Sequence, residues 1–306
     1  MRNLFKVLGV IIGVFLIVVF ATMTFSLIKN LWFNSGSNSE PHVAVVVIDG
    51  MIVESKRALD EIDEVLENPS AKALVIKVNS PGGLVAPSQE LYQGILRADK
   101  KIPVLISMDA LAASGGYYLA LGGRKIFANP GTLTASIGVI MEFMNTQKLY
   151  EWAKVERYTI TGGKFKATGT PLRPMTPEER ALLEGMVANI HSQFREAVSS
   201  RRNLTGDALD NTTDGRVMTG EQALEAKLVD SLGGFFAAVE EAKALAKLKE
   251  DAPVRYKERR VGLVHRILFG EEDPNPLKNW LNNFLFQLPH QSFHPGWRVM
   301  LLSPVR

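Results

Sequence analysis

The chain has 306 residues, 22% of them charged and 46% hydrophobic, which excludes wholesale disorder and leaves room for one large domain or two small ones plus a membrane segment. Its formal net charge is only +3, and its basic residues are scattered among acids with no aromatic-plus-basic run, which argues against a nucleic-acid partner. There is no cysteine, so disulfides, thiol nucleophiles and Cys-ligated metals are all excluded.

In chain order, the first element is a run of 22 uncharged residues, Val7 to Ile28, between Lys6 and Lys29. At roughly 1.5 Å per residue such a helix spans a hydrocarbon core of about 30 Å. The run is longer than the apolar core of a signal peptide, and Ala21-Thr22-Met23 is a poor cleavage site, so 7–28 reads as an uncleaved anchor. Arg2, Lys6 and the amino terminus outweigh Lys29, which predicts a cytoplasmic start (1–6) and a body outside the inner membrane. Residues 29–41 hold the polar stretch Asn34 to Pro41 and read as a tether.

A compact domain is expected over 42–248. Val43–Ile48, Ala73–Val78 and Pro103–Ser107 are continuous apolar runs of strand type, with a short fourth at Ile126–Ala128. Runs this apolar suit strands covered on both faces, as in a parallel sheet. Between them, Leu59, Ile62, Val65 and Leu66 recur at helical spacing, as do Leu91, Ile95 and Leu96. The alternation predicts an α/β class. Thr176-Pro177-Glu178-Glu179 carries a capping box and should open a helix to about Arg202. Thr219-Gly220-Glu221-Gln222 repeats that signal, and Phe235 to Leu248 reads as an Ala-rich helix. From Lys249 the character changes: Glu271 to Pro276 is a breaker, and Trp280, Leu281, Phe284, Leu285 and Leu288 form an apolar stripe. Residues 249–306 therefore read as a tail that meets a neighbouring subunit, the bilayer or its own domain.

Three short segments can carry chemistry. In Ala112-Ala113-Ser114-Gly115-Gly116 a serine flanked by small residues follows a strand, and the N–H of Gly115 can point at an oxyanion beside the hydroxyl. Asn79-Ser80-Pro81-Gly82-Gly83 follows another strand, and its glycines let backbone N–H groups approach a ligand. Gly162-Gly163-Lys164-Phe165-Lys166 places two lysines behind glycines. Singly, each also reads as ordinary structure: an N-capping serine, a turn, a solvated surface. The five histidines, His42, His191, His265, His290 and His294, sit in none of these segments, which disfavours a Ser–His–Asp triad. No metal or nucleotide motif occurs, so no cofactor is expected.

Taken together and in this order, the segments Val78–Gly83, Ala112–Tyr118, Leu133–Val139 and Asp214–Val217 resemble the signal peptide peptidase A family of serine peptidases over roughly residues 42–248. The resemblance implies a Clp protease/crotonase-like spiral of ββα units. It implies Ser114 as nucleophile, Lys166 as general base, Ser136 orienting that lysine, and an oxyanion hole from Gly115 with Gly82 or Gly83. It also implies signal-peptide substrates, a membrane lipid environment and homo-oligomeric assembly. A lysine acts as base only when its pKa falls from about 10.4 towards neutrality, which requires burial. Lys164 and Lys166 would face the same way on an extended strand, so the family register, not spacing, selects Lys166. The competing readings are a non-catalytic membrane scaffold and an acyl-CoA hydratase or isomerase on the same fold.

Overall fold

A computed structural model describes residues 40–257, the backbone of 300–302, and the helical residues 17, 18, 20–22, 24 and 25. Among the described residues no helix is long and apolar enough to cross a membrane. Most of the expected anchor 7–28, tether residues 29–39 and the stripe from Trp280 to Leu288 lie outside the described residues.

The four apolar runs are strands. β1 (His42–Asp49), β2 (Ala71–Ser80) and β4 (Val104–Ala113) form the parallel centre of the sheet, in register Val46↔Ile76 and Ile76↔Ile106. Helix α1 (Lys56–Glu67) links β1 to β2. The short β3 (Gly82–Leu84) and α2 (Val85–Asp99) link β2 to β4. This gives the α/β class expected, built from successive strand and helix units.

Both faces of the sheet are covered, which is why the strands are continuously apolar rather than alternating. Ala44, Val46, Leu74, Ile76 and Ile106 point to the side packed by Ile62 and Val65 of α1 and by Leu91 and Ile95 of α2. Val43, Val45, Ala73, Val75 and Leu105 point to the other, under Ala238, Val239 and Ala242 of the last helix, Phe235–Leu245. Each Val, Leu or Ile side chain among them contributes about 1.5–3 kcal/mol when fully buried.

β4 is longer than its apolar run suggests and divides between two neighbours. Its first half pairs with β5 (Lys125–Ala128), and its last three residues pair with β6 (Leu133–Ala135), Ala113 opposite Ala135. After β4 comes the six-residue α3 (Gly115–Ala120), and after β6 a long excursion, residues 139–175, holding only the short α4 (Gln147–Trp152). The capping box at Thr176 opens α5 (Pro177–Arg202), with Thr176 Oγ1 accepting from the Glu179 N–H at 3.2 Å. α6 (Gly206–Thr212) leads to β7 (Val217–Thr219), antiparallel to β6. The second capping box opens α7 (Gly220–Glu225). The short β8 (Ser231–Leu232) pairs with β5 and precedes α8, the Phe235–Leu245 helix named above.

The sheet continues past Leu248. β9 (Val254–Tyr256) adds to the free edge of β1, Val43 opposite Val254, so the start of the expected tail is part of the domain. β10 (Met300–Leu302) lies antiparallel on β3.

Candidate active site

The end of β4 delivers Ser114. Its backbone N–H donates to the carbonyl of Ala135 at 2.7 Å, continuing the β4–β6 ladder by one bond. The chain then turns sharply: Ser114 has φ 53° and ψ −117°, a conformation that costs a non-glycine residue about 1–3 kcal/mol. Its carbonyl accepts from the Tyr118 N–H at 2.8 Å and so starts α3. Ser114 has no exposed surface, and its Oγ has no hydrogen-bond partner among the described residues. A buried hydroxyl without a partner is costly to keep, so its retention at a strained turn marks the residue out.

Gly82, Gly83 and Gly115 converge beside it. A Cβ added to Gly115 would stand 2.5 Å from Ser88 Oγ and 3.2 Å from both the Gly82 Cα and the Gly83 nitrogen. Only a glycine permits that approach. Gly82 adopts φ 98° and donates its N–H to Ser80 Oγ at 3.1 Å. Ser88, fully buried at the start of α2, donates to the Leu84 carbonyl at 2.9 Å and fixes the turn from β3 into the helix. Ser80 and Ser88 are the supporting residues that motif reading passes over. Ser80 lies within the Asn79–Gly83 segment, whereas Ser88 has no local sequence signal because its neighbour is Gly115.

Ser136 follows β6 just as Ser114 follows β4. It is nearly buried, has φ 52°, and donates its N–H to the Arg216 carbonyl at 2.8 Å. Paired strand ends therefore present the two serines side by side.

Lys166 is exposed, and among the described residues no hydrogen bond joins it to Ser114 or Ser136. The stretch around it is a series of turns, Lys166 N–H donating to Gly163 O at 3.2 Å, so the common facing of an extended lysine pair does not apply. Lys164 rests against its neighbour, its Nζ 5.1 Å from the Phe165 ring centre. The excursion that carries both lysines buries little: Trp152 is 80% exposed and Ile160 99%, with Met144, Leu149 and Tyr158 also mostly exposed. Its far end is pinned, since Arg173 holds Glu179 by two hydrogen bonds of 2.8 and 2.6 Å. That guanidinium, aided by the Thr176 N–H, lowers the Glu179 carboxyl to about 2.

Neither described histidine approaches Ser114: His42 Nδ1 lies 2.9 Å from the Glu40 carbonyl, and His191 Nε2 lies 2.8 Å from the Thr213 carbonyl. His265, His290 and His294 lie outside the described residues.

Comparison with known proteins agrees with this arrangement of segments. The family model described as peptidase family S49 matches residues 97–249. A protein of Synechocystis sp. named as a protease is 35% identical over 216 residues, covering 70% of this chain and 78% of that one. The chloroplastic serine protease SPPA of Arabidopsis thaliana is 34% identical over 68% of this chain but only 30% of its own length. A signal peptide peptidase SppA of Enterococcus faecium is 33% identical over 67% of this chain and 60% of its own. Among solved structures, a mutant of a membrane-bound stomatin-specific protease superposes at TM-score 0.46 and 19% identity, over 72% of this chain and 99% of that one. With its residues 97–249 matched to the S49 model, and relatives named as proteases aligned over two thirds of its length, the chain belongs to peptidase family S49.

Proposed function

We propose that this chain is a membrane-anchored serine endopeptidase that cleaves extended, apolar peptides such as the signal peptides left in a membrane after secretion. Ser114 is its nucleophile, Lys166 its base and Ser136 the residue that orients the base. The observation that carries this reading is the unpartnered Ser114 hydroxyl at a strained turn, beside the convergent glycines 82, 83 and 115. Of the two candidate loop donors, Gly83 is favoured for the oxyanion, because the Gly82 N–H is engaged by Ser80 Oγ. In the reaction, a neutral lysine takes the Ser114 proton as Oγ attacks the peptide carbonyl. The Gly83 and Gly115 N–H groups meet the charge that develops on the carbonyl oxygen, and the lysine returns its proton to the leaving amine.

The base must then come from elsewhere than the position it holds in the single chain. A lysine removes a proton only where burial away from water keeps it neutral. The bare aromatic and aliphatic side chains of 139–175 are an apolar surface that favours association. We assign them to a second copy of the chain, so that Lys166 of one copy enters the site of its neighbour and is desolvated there. The anchor 7–28 would hold the assembly at the inner membrane with the protease domain outside.

A mixing experiment tests this. Ser114→Ala and Lys166→Ala should each be inactive, while an equimolar mixture of the two regains about a quarter to a half of wild-type activity if sites form between copies. A mixture as dead as its parts would place both residues in one chain. Fluorophosphonate labelling that persists in Ser114→Ala would remove Ser114 as the nucleophile and leave the scaffold or hydratase readings.

A further inference from the structure

Ala135 and Ser136 are consecutive residues in the left-handed region, with φ 63° and 52°, and neither is a glycine. Such a pair persists only where its surroundings over-determine it. On one side the Ala135 carbonyl accepts from the Ser114 N–H at 2.7 Å, and on the other the Ser136 N–H donates to the Arg216 carbonyl at 2.8 Å. Arg216 is held in turn by Asp214, whose carboxylate accepts from its backbone N–H at 3.1 Å and from its Nε at 2.9 Å. That turn begins at Thr213, which has no exposed surface and whose polar groups are all engaged. Its N–H donates to the Asp210 carbonyl at 3.3 Å, and its hydroxyl donates to the Leu209 carbonyl at 2.7 Å. Two side chains of α5 complete the set. His191 Nε2 lies 2.8 Å from the Thr213 carbonyl and must donate to it, since a carbonyl only accepts. The Arg195 guanidinium donates to Thr213 Oγ1 and pairs with Asp210.

We propose that His191 and Arg195 are positioning residues for Ser136, acting on it through the turn 213–216. This rests on the reading of Ser136 given above, as the residue that orients the base. The two side chains are four residues apart, so they leave α5 on one face and converge on a single residue, Thr213. The helix they leave is a firm reference, because Phe194 and Val198 fix it in the core with no exposed surface. Its first turn carries Glu179, which Arg173 holds at the end of the excursion bearing Lys166. One helix therefore braces both the turn behind Ser136 and the segment that carries the proposed base. A catalytic group displaced by 1 Å loses about a hundredfold in rate, so a brace three hydrogen bonds away still acts on the chemistry. If the two side chains only docked α6 onto α5, their loss would lower stability and leave the rate of the folded enzyme alone.

The experiment uses the full chain with His191→Leu, His191→Gln and Arg195→Met, each alone and combined with Ser136→Ala. Glutamine keeps an N–H near the place of Nε2, whereas leucine removes it. Steady-state kinetics on an apolar fluorogenic peptide are measured across pH, and amide exchange is read on the segment 133–139. The proposal expects His191→Leu and Arg195→Met to lower kcat about tenfold with KM little changed, and to speed exchange at 133–139. Both should move the acidic limb of the pH profile upward, as Ser136→Ala does, and His191→Gln should stay within about twofold of wild type. In the Ser136→Ala background the same substitutions should cost little further rate, because the side chain they position is already gone. Should His191→Leu fail to fold by circular dichroism, Arg195→Met, whose side chain is partly exposed, makes the comparison. Folded variants with wild-type kcat and exchange, or losses that add in full to that of Ser136→Ala, would overturn the proposal. If exchange rises at 133–139 while Ser136→Ala itself keeps the wild-type rate and pH profile, the brace stands and the orienting role of Ser136 fails.

Discussion

Ser114 hydrogen-bonds through its backbone N–H to the carbonyl of Ala135, the residue immediately before Ser136. One main-chain bond of 2.7 Å thus fixes the spacing between the proposed nucleophile and the serine proposed to orient its base. Both serines have positive φ, and each is set by the strand before it, so their separation is a property of the β4–β6 register rather than of side-chain rotamers.

The role of each polar residue at the site separates by kinetics. Lys166→Ala should lower kcat by about 10²–10⁴ with the fold unchanged by circular dichroism. Ser136→Ala should lower kcat less and move the acidic limb of the pH profile upward, because a lysine without its orienting partner stays protonated to higher pH. Lys164→Ala should retain most activity. A dead Lys164→Ala beside an active Lys166→Ala would reassign the base.

Gly115→Ala should abolish activity. The added methyl meets Ser88 Oγ at 2.5 Å and crowds Gly82 and Gly83 at 3.2 Å, so the loop that carries the proposed oxyanion donors has to move. Gly115→Ala combined with Ser88→Ala relieves the nearest contact and should recover part of the stability but little of the rate. Thermal melts and kcat measured on both variants check this. Equal activity in Gly115→Ala and wild type would show that the loop tolerates displacement.

Gly185 lies exposed in the interior of α5, and a Cβ there meets nothing within 4 Å. Gly185→Ala should stabilise the chain by up to about 1 kcal/mol, since alanine loses less backbone freedom on entering a helix. Chemical denaturation reads the change directly, and a lower midpoint would mean this face of α5 is covered in the assembly.

Glu179 links stability to pH. Its carboxyl is lowered to about 2 by Arg173, and then by the Thr176 N–H, from an ordinary value of about 4.5. A depressed folded-state pKa contributes stability that is fully present above the unfolded value and is lost as pH falls through the folded one. The wild type should therefore weaken between about pH 5 and pH 2, and Glu179→Gln should flatten that part of the curve while destabilising the chain at pH 7. Because Arg173 closes the excursion bearing Lys166, the same variant should also raise proteolytic nicking within 139–175. An unaltered acid limb in Glu179→Gln would show that other carboxylates dominate.

Tyr117 is fully buried and donates its hydroxyl to the Leu228 carbonyl at 2.8 Å, and burial pushes its pKa up. Tyr117→Phe leaves that carbonyl without its donor in the core and should cost about 1–3 kcal/mol without changing KM, as measured by urea denaturation and steady-state kinetics.

By itself the sequence determined what local chemistry dictates. The apolar runs at Val43–Ile48 and Ala73–Val78 suited strands covered on both faces, and the two capping boxes at Thr176 and Thr219 marked helix starts, because a cap acts within four residues. The motif segments also named Ser114 and the glycines that meet it. Tertiary structure alone decided the rest, because each remaining feature joins residues far apart in the chain. Ser88 packs on Gly115 across two elements, β4 leaves β5 for β6 near its end, and β9 claims an edge of β1. The exposure of Lys166 goes with a long excursion most of whose large apolar side chains its own domain leaves exposed. The pairing of Leu301 with Gly83 depends on which sheet edge remains open. Open edges and unfilled faces arise only when the other strands and helices have taken their places, and no window of sequence contains that information.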